Sequence, residues 1–293
     1  MRIRDYYTPE NLTETFALLE EHAGSARLIS GGTDVIVRAK KGFVQDATLI
    51  DISKLEELQG ISVVNHTTLR IGGGVKLSEI YNSSLVQEKA PIVSESAGWV
   101  GSVQIRNMGT MGGNVCNASP SADTSPPLLV LDTQVVVTGP EGERKIPLKD
   151  FFVGPGKTVM QPTEVLKEFL IPFAEKNAGL AYIKHSRRVV MDLATVNCAI
   201  KLLLDPDSKN ILEAAVCLGA VAPTPVLLPE IAEQLKGTKA DSEVCLKASC
   251  LAANRVSPIK DVRASKEYRE EMVGVLVKNT LRKAYENALT KTR

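Results

Sequence analysis

Apolar residues along this chain follow a helical rhythm near both ends and a strand-like rhythm between them. From Thr8 to Gly24, Leu12, Phe16 and Leu19 fall on one helical face, with Thr8 as the predicted cap, Pro9 in the first turn and Gly24 as the stop. An apolar run from Ala26 to Ile29 enters the segment SGGTD at Ser30 to Asp34, and Ala47 to Ile50 closes a unit reading helix, strand, glycine turn, helix, strand. After Leu58 the pattern changes. Ile61 to Val64 and Leu69 to Ile71 read as strands around a turn at Asn65 to Thr68, and Gly72, Gly73 and Gly74 read as the turn into a helix over Leu77 to Tyr81. A helix around Ile92 to Val100, a glycine-rich loop from Gly109 to Asn114 and a strand from Val135 to Thr138 follow, with Pro155 and Pro162 marking the loop beyond.

Past Pro172 the predicted strands lengthen, to Leu180–His185, Thr195–Leu204 and Ala214–Ala222, with a polar turn at Asp205 to Asn210. A last helix over Lys266 to Leu289 carries Met272, Leu276, Thr280 and Ala284 at helical spacing and is expected to pack on those strands. These shifts divide the chain into units at residues 1–57, 58–174 and 175–293, an α+β organisation without internal repeats.

Composition narrows the chemistry. The 293 residues are 44% hydrophobic, enough for one or two cores, and Lys+Arg 35 against Asp+Glu 34 gives a net charge of +1, which excludes a strongly cationic nucleic-acid binder. No apolar run reaches the roughly 18 residues of a membrane span, and the first residues lack the apolar stretch of a secretory signal, so the expected location is the cytoplasm. Cys116, Cys198, Cys217, Cys245 and Cys250 form no CxxC pair, and His22, His66 and His185 are scattered, so no cluster-binding or metal motif is read. Redox chemistry here must use an organic cofactor.

Two segments invite an anionic ligand: RLISGGTD (Arg27, Leu28, Ile29, Ser30, Gly31, Gly32, Thr33, Asp34) and IRNMGTMGGN, ending in Thr110, Met111, Gly112, Gly113 and Asn114. Glycines let backbone N–H groups approach a pyrophosphate, and Ser30, Thr33, Thr110 and Asn114 add small polar side chains. A lone pair of glycines is more often only a tight turn, so it is the two segments together that carry the reading. Neither segment fits GxGxxG with a downstream acid or GxxxxGK[ST], so neither a Rossmann nor a Walker site is supported. Cys116 reads as a buried thiol, and His185 faces away from whatever Lys184 faces.

SGGTD followed by VGSVQIRNMGTMGGNVCNASPSAD, then GPGKTV at Gly154 to Val159 and VSPIKDVRASKEYR at Val256 to Arg269, resembles the FAD-binding medium subunit of the xanthine dehydrogenase and carbon monoxide dehydrogenase family of molybdenum hydroxylases. The resemblance implies a two-subdomain FAD-binding fold of the PCMH/vanillyl-alcohol-oxidase type, followed by a C-terminal α+β domain on a small antiparallel sheet. It implies that Arg27 to Asp34 and Thr110 to Asn114 meet the FAD pyrophosphate, and that Asp123 and Lys184 also touch FAD. Lys184 would favour negative charge on a reduced flavin, and Asp123 would accept hydrogen bonds from ribityl or ribose hydroxyls. Val100, beside the single tryptophan Trp99, and Leu166 or Leu170 are further carried-over contacts.

The family reading gives an electron-transfer subunit. Electrons from a molybdopterin-containing large subunit would pass through an iron–sulfur small subunit to FAD here, and on to an acceptor such as NAD+. The motifs look nearer to xanthine or other N-heterocycle dehydrogenases, nicotinate-type enzymes included, than to carbon monoxide dehydrogenase. A free-standing FAD oxidoreductase of the same fold, as in the related enolpyruvylglucosamine reductases, and a noncatalytic assembly module that has lost FAD are the alternatives.

Overall fold

The computed structural model describes residues 3–291 and contains three main sheets laid out in sequence order. The first is parallel, with β3 (Ala47–Asp51) between β1 (Ile3–Tyr7) and β2 (Ala26–Ile29). Ala47, Leu49 and Ile50 of β3 are buried, and Ile50 packs with Leu18 and Leu19 of the helix Leu12–Glu21. That helix is capped by Asn11, not Thr8. The Asn11 side-chain oxygen accepts from the Glu14 amide at 2.9 Å, which leaves Thr8 and Pro9 ahead of the helix.

The second sheet is antiparallel. It combines the hairpin of β4 (Ile61–Val64) and β5 (Thr68–Gly72) with that of β6 (Gln134–Gly139) and β7 (Gly142–Pro147). A small ribbon of β8 (Phe152–Gly154) and β9 (Lys157–Thr158) precedes β10 (Val165–Pro172), which inserts between β5 and β6. Alternate residues of β10 explain its place. Phe169 and Ile171 are fully buried in the same core as Leu69, Ile71, Val135 and Val137.

The third sheet runs β11 (Ala178–His185), β12 (Val196–Leu204), β13 (Ile211–Gly219) and β14 (Val226–Leu227), all antiparallel. β13 starts earlier than the expected Ala214, and it ends earlier than the expected Ala222 because Ala220 turns the chain at φ 64°. One face is covered by the helix Lys266–Lys291, which buries Leu276, Thr280 and Ala284 as its spacing predicts. Beneath β12 and β13 the helix Ser125–Val130, buried throughout, joins this sheet to the second one. Among the described residues no helix is long and apolar enough to cross a membrane.

The loop ahead of the last helix is held by Arg269, buried to 3% exposure, whose guanidinium donates to the carbonyls of Thr195 and Ala220 and to Asp261. Burial works to raise the Asp261 carboxyl, but the Arg263 and Ala264 amides and the Arg269 guanidinium outweigh it and hold it down to about 2. A depressed carboxyl stabilises the fold above its unfolded value near 3.9 and loses that contribution as pH falls towards its folded value. Asp261→Asn should therefore lower urea-unfolding stability by about 1–2 kcal/mol at pH 7, after allowance for partial solvent screening. The difference from wild type should shrink steadily below about pH 4. A constant difference across that range would remove the titration argument.

Candidate functional site

A cleft of about 500 Å³ opens between the first and second sheets, a size suited to a bound small molecule. Both glycine segments line it. The first leaves β2 at Ile29 and ends at the helix Val35–Lys40. Gly31 sits where an added Cβ would lie 2.0 Å from the Met108 carbonyl oxygen, so the segments touch backbone to backbone. Gly31 and Thr33 take part in no hydrogen bond among the described residues, and the Ser30 hydroxyl oxygen is enclosed without a partner. The enclosed Ser30 hydroxyl calls for a partner, and half-buried Gly31 and Thr33 are open to the same ligand. Burial raises the Asp34 carboxyl and Arg38 draws it back.

The second segment is partly helical rather than a loop. Thr110 caps the helix Met111–Cys116 by accepting from the Gly113 amide at 3.1 Å, which offsets the poor helix propensity of two glycines. Gly112 is buried, and its amide donates to the Gly73 carbonyl at 2.9 Å. An added Cβ there would come within 2.5 Å of that oxygen, so Gly112 serves the close approach of backbone to backbone. Gly113 is exposed, and a Cβ on it would meet only the Thr110 hydroxyl, at 3.0 Å. Asn114 accepts from Thr124 Oγ1 at 2.7 Å through its side-chain oxygen, which leaves its amide NH2 free for a ligand.

Arg27, Leu28, Ile29, Ser30, Gly31, Gly32, Thr33, Asp34, Val100, Thr110, Gly112, Gly113, Asn114 and Leu166 all line the cleft. Leu170, half-buried on β10 opposite Arg70 and Gln134, is not among its lining residues. Nor are Asp123 and Lys184, which form a buried ion pair at 2.8 Å with side chains 6% and 3% exposed. The Tyr182 hydroxyl donates to the other Asp123 oxygen at 2.8 Å. Burial pushes the Asp123 carboxyl up, with Lys184 the main counterweight. The pair reaches the cleft wall indirectly, because Lys184 Nζ also donates to the carbonyl of Trp99, next to Val100. His185, on the opposite face of β11, pairs with the Tyr268 hydroxyl at 3.0 Å.

Several lining residues have no counterpart in the sequence reading. Gly73 and Gly74, read as a plain turn, form part of the wall, as do Phe43, Asn117, Gly156 and Met160. Three consecutive glycines exceed what a turn needs, and that excess is the signal they carried. Cys116 also lines the wall, with Sγ 3.6 Å from Met160 Sδ, and burial pushes its thiol up to about 12, far from the range of a reactive thiolate.

Comparison with known proteins decides the family. Residues 1–174 match the FAD binding domain in molybdopterin dehydrogenase, and residues 181–284 match the CO dehydrogenase flavoprotein C-terminal domain. The chain is an FAD-binding subunit of the molybdenum hydroxylase family. It is 30% identical over 280 residues, 95% of each chain, to the xanthine dehydrogenase FAD-binding subunit of Escherichia coli O157:H7. It is equally 30% identical over 281 residues, 96% of each, to the carbon monoxide dehydrogenase medium chain of Hydrogenophaga pseudoflava. Its fold superposes on a chain of the reconstituted CO dehydrogenase from Oligotropha carboxidovorans with a TM-score of 0.93 at 31% identity, covering 97% of this chain and 98% of that one.

The cleft suits the cofactor of this FAD-binding family. Unpaired groups at Ser30, Gly31 and Thr33 share its lining with the free side-chain amide of Asn114. Arg27 and Arg38 supply positive charge on the same lining for a pyrophosphate.

Proposed function

We propose that this chain carries electrons from an iron–sulfur partner subunit to a soluble acceptor such as NAD+, as the flavoprotein member of a complex whose large subunit holds molybdopterin. The observation that carries the proposal is the cleft itself, with the Ser30 hydroxyl, the Gly31 amide and the Asn114 side-chain amide unspent among apolar lining residues such as Val100, Met160 and Leu166. FAD, when bound, supplies a carrier able to take electrons singly from clusters and release them in pairs to a hydride acceptor. The chain's residues hold, orient and shield. Thr110 fixes the helix that presents Gly113, and Lys184, tied to the Trp99 carbonyl, places a cation beside the Val100 wall, where it favours negative charge. Asp123, buried behind the cleft wall, keeps Lys184 in position.

Docking of a partner draws support from an apolar face beside the cleft. Val103 and Met108 on the helix Val103–Met108, and Val189, Val190 and Val262 on two loops, are exposed, Val189 to 79% and Val262 to 90%. Met191 N to Gly101 O and Arg187 Nη1 to Val262 O join these three segments. An exposed apolar group of this kind marks an interaction surface. Val190→Asp should weaken co-purification of the partner chains about tenfold or more while FAD content stays unchanged. Unaltered complex recovery would place the interface elsewhere. Identity to the xanthine and carbon monoxide relatives is the same, 30%, and so favours neither substrate class.

The deciding experiment follows visible flavin absorbance in the complex isolated from its native source. With the oxidisable substrate and no acceptor, absorbance should fall only when the partner chains are present, and NAD+ should restore it. Reduction of the isolated chain by the same substrate would instead identify a free-standing oxidoreductase. Gly113→Val tests the seat itself. Its Cβ would meet only the Thr110 hydroxyl, at 3.0 Å, which a small shift of that side chain relieves, so the variant should fold and retain less than about a tenth of the wild-type FAD.

A further inference from the structure

Phe43 is the most exposed aromatic side chain among the described residues, at 73%, yet it lines the cleft. Its exposure is built into the fold. The turn after the helix Val35–Lys40 is closed by Lys41 N to Val37 O at 3.1 Å, Gly42 N to Ala39 O at 3.0 Å and Phe43 N to Arg38 O at 2.9 Å. Gln45 Nε2 adds a bond to the Gly42 carbonyl at 3.0 Å, and Gly42 takes φ +81°. A phenyl ring fixed in solvent at the edge of a ligand cleft gains most from stacking against another flat ring.

The cleft is lined from two units, each of which gives one of the glycine segments suited to a pyrophosphate. Arg38, Phe43 and Val44 come from the unit of the first sheet, and Val100, Cys116, Met160 and Leu166 from that of the second. The buried Lys184–Asp123 pair is tied to the Trp99 carbonyl next to Val100, and the proposed function gives that wall to the flavin ring. With the pyrophosphate held between the units, the wall of the first unit is left for the second half of the dinucleotide. We propose that Phe43 stacks on the adenine of FAD and so selects the dinucleotide over the mononucleotide. This rests on the FAD reading and on the flavin lying at the Val100 wall.

The test titrates the full-length chain, freed of flavin, with FAD, ADP and FMN. Phe43→Ala should raise the Kd for FAD and for ADP about tenfold, the scale of a lost base–aromatic stack, while FMN stays within about twofold. Phe43→Trp should restore both. The thermal midpoint of the flavin-free chain should not move, since the ring buries little of itself. Equal weakening of FAD and FMN with ADP unchanged would put Phe43 at the flavin half and overturn the proposal. No change in any of the three would overturn it as well, leaving the FAD seat intact. Should FMN bind too weakly to measure, ADP decides alone. Failure of the wild type to bind FAD would overturn the cofactor reading itself, which separates the two outcomes.

Discussion

Replacing Gly31 by valine is expected to part the two glycine segments and to leave the chain without retained FAD. The new Cβ would lie 2.0 Å from Met108 O, 2.5 Å from Met108 C and 2.7 Å from Gly109 Cα. All three are backbone atoms, so no side chain can swing aside. Overpacking of this kind costs about 1–3 kcal/mol in ordinary cores, and here the strain is relieved by opening the cleft. The flavin-to-protein ratio after gel filtration should fall close to zero, with a thermal midpoint several degrees lower. Gly113→Val, by contrast, should lose flavin with little change in midpoint. A Gly31→Val protein that keeps stoichiometric FAD would show that the segments need not touch.

The second large effect is expected at Lys184. Removing the ammonium with Lys184→Met leaves Asp123, itself 5% exposed, with the Tyr182 hydroxyl but no positive charge. Breaking a buried pair from one side costs about 3–5 kcal/mol, because the remaining charge stays in a poorly solvated place. The sign with pH follows from the carboxyl. Burial raises its folded value, and without Lys184 that value rises further, so the penalty is absent below the unfolded value and grows as pH increases. Urea unfolding should show the variant recovering stability between pH 8 and pH 5. Adding Asp123→Asn should restore most of the loss at pH 8 and erase the pH dependence. Equal losses in the single and double variants would mean that packing of the lysine stem, not charge, holds this point.

Much of the architecture was readable from local patterns, and the failures have physical causes. β2, β4, β6 and the last helix announce themselves through apolar runs or helical spacing bounded by glycine and polar turns. β1 does not. IRDYY leaves three of its five residues exposed, and the strand exists because β3 offers it a parallel edge. Two glycines argue against a helix at Gly112 and Gly113, yet the Thr110 cap and the Gly73 carbonyl impose one from outside the segment. The segments RLISGGTD and TMGGN could be singled out because their small residues are contiguous. The Asp123–Lys184 pair spans 61 residues, and no local signal joins its members. Phe43 was overlooked for the opposite reason. An isolated phenylalanine in a loop reads as ordinary surface until the cleft beside it is seen.

β10 lies between β5 and β6, although β5 ends near residue 72 and β6 begins near residue 134. A ribosome therefore makes two separate hairpins long before it makes the strand that joins them. Until residues 165–172 have emerged, the second sheet has a gap at its centre, and Val165 and Leu166 are missing from the cleft wall. Pairings between residues so far apart in sequence form slowly. Cofactor loading thus belongs to the second half of synthesis at the earliest, and a nascent chain halted before β10 would present both glycine segments with no complete pocket to hold FAD.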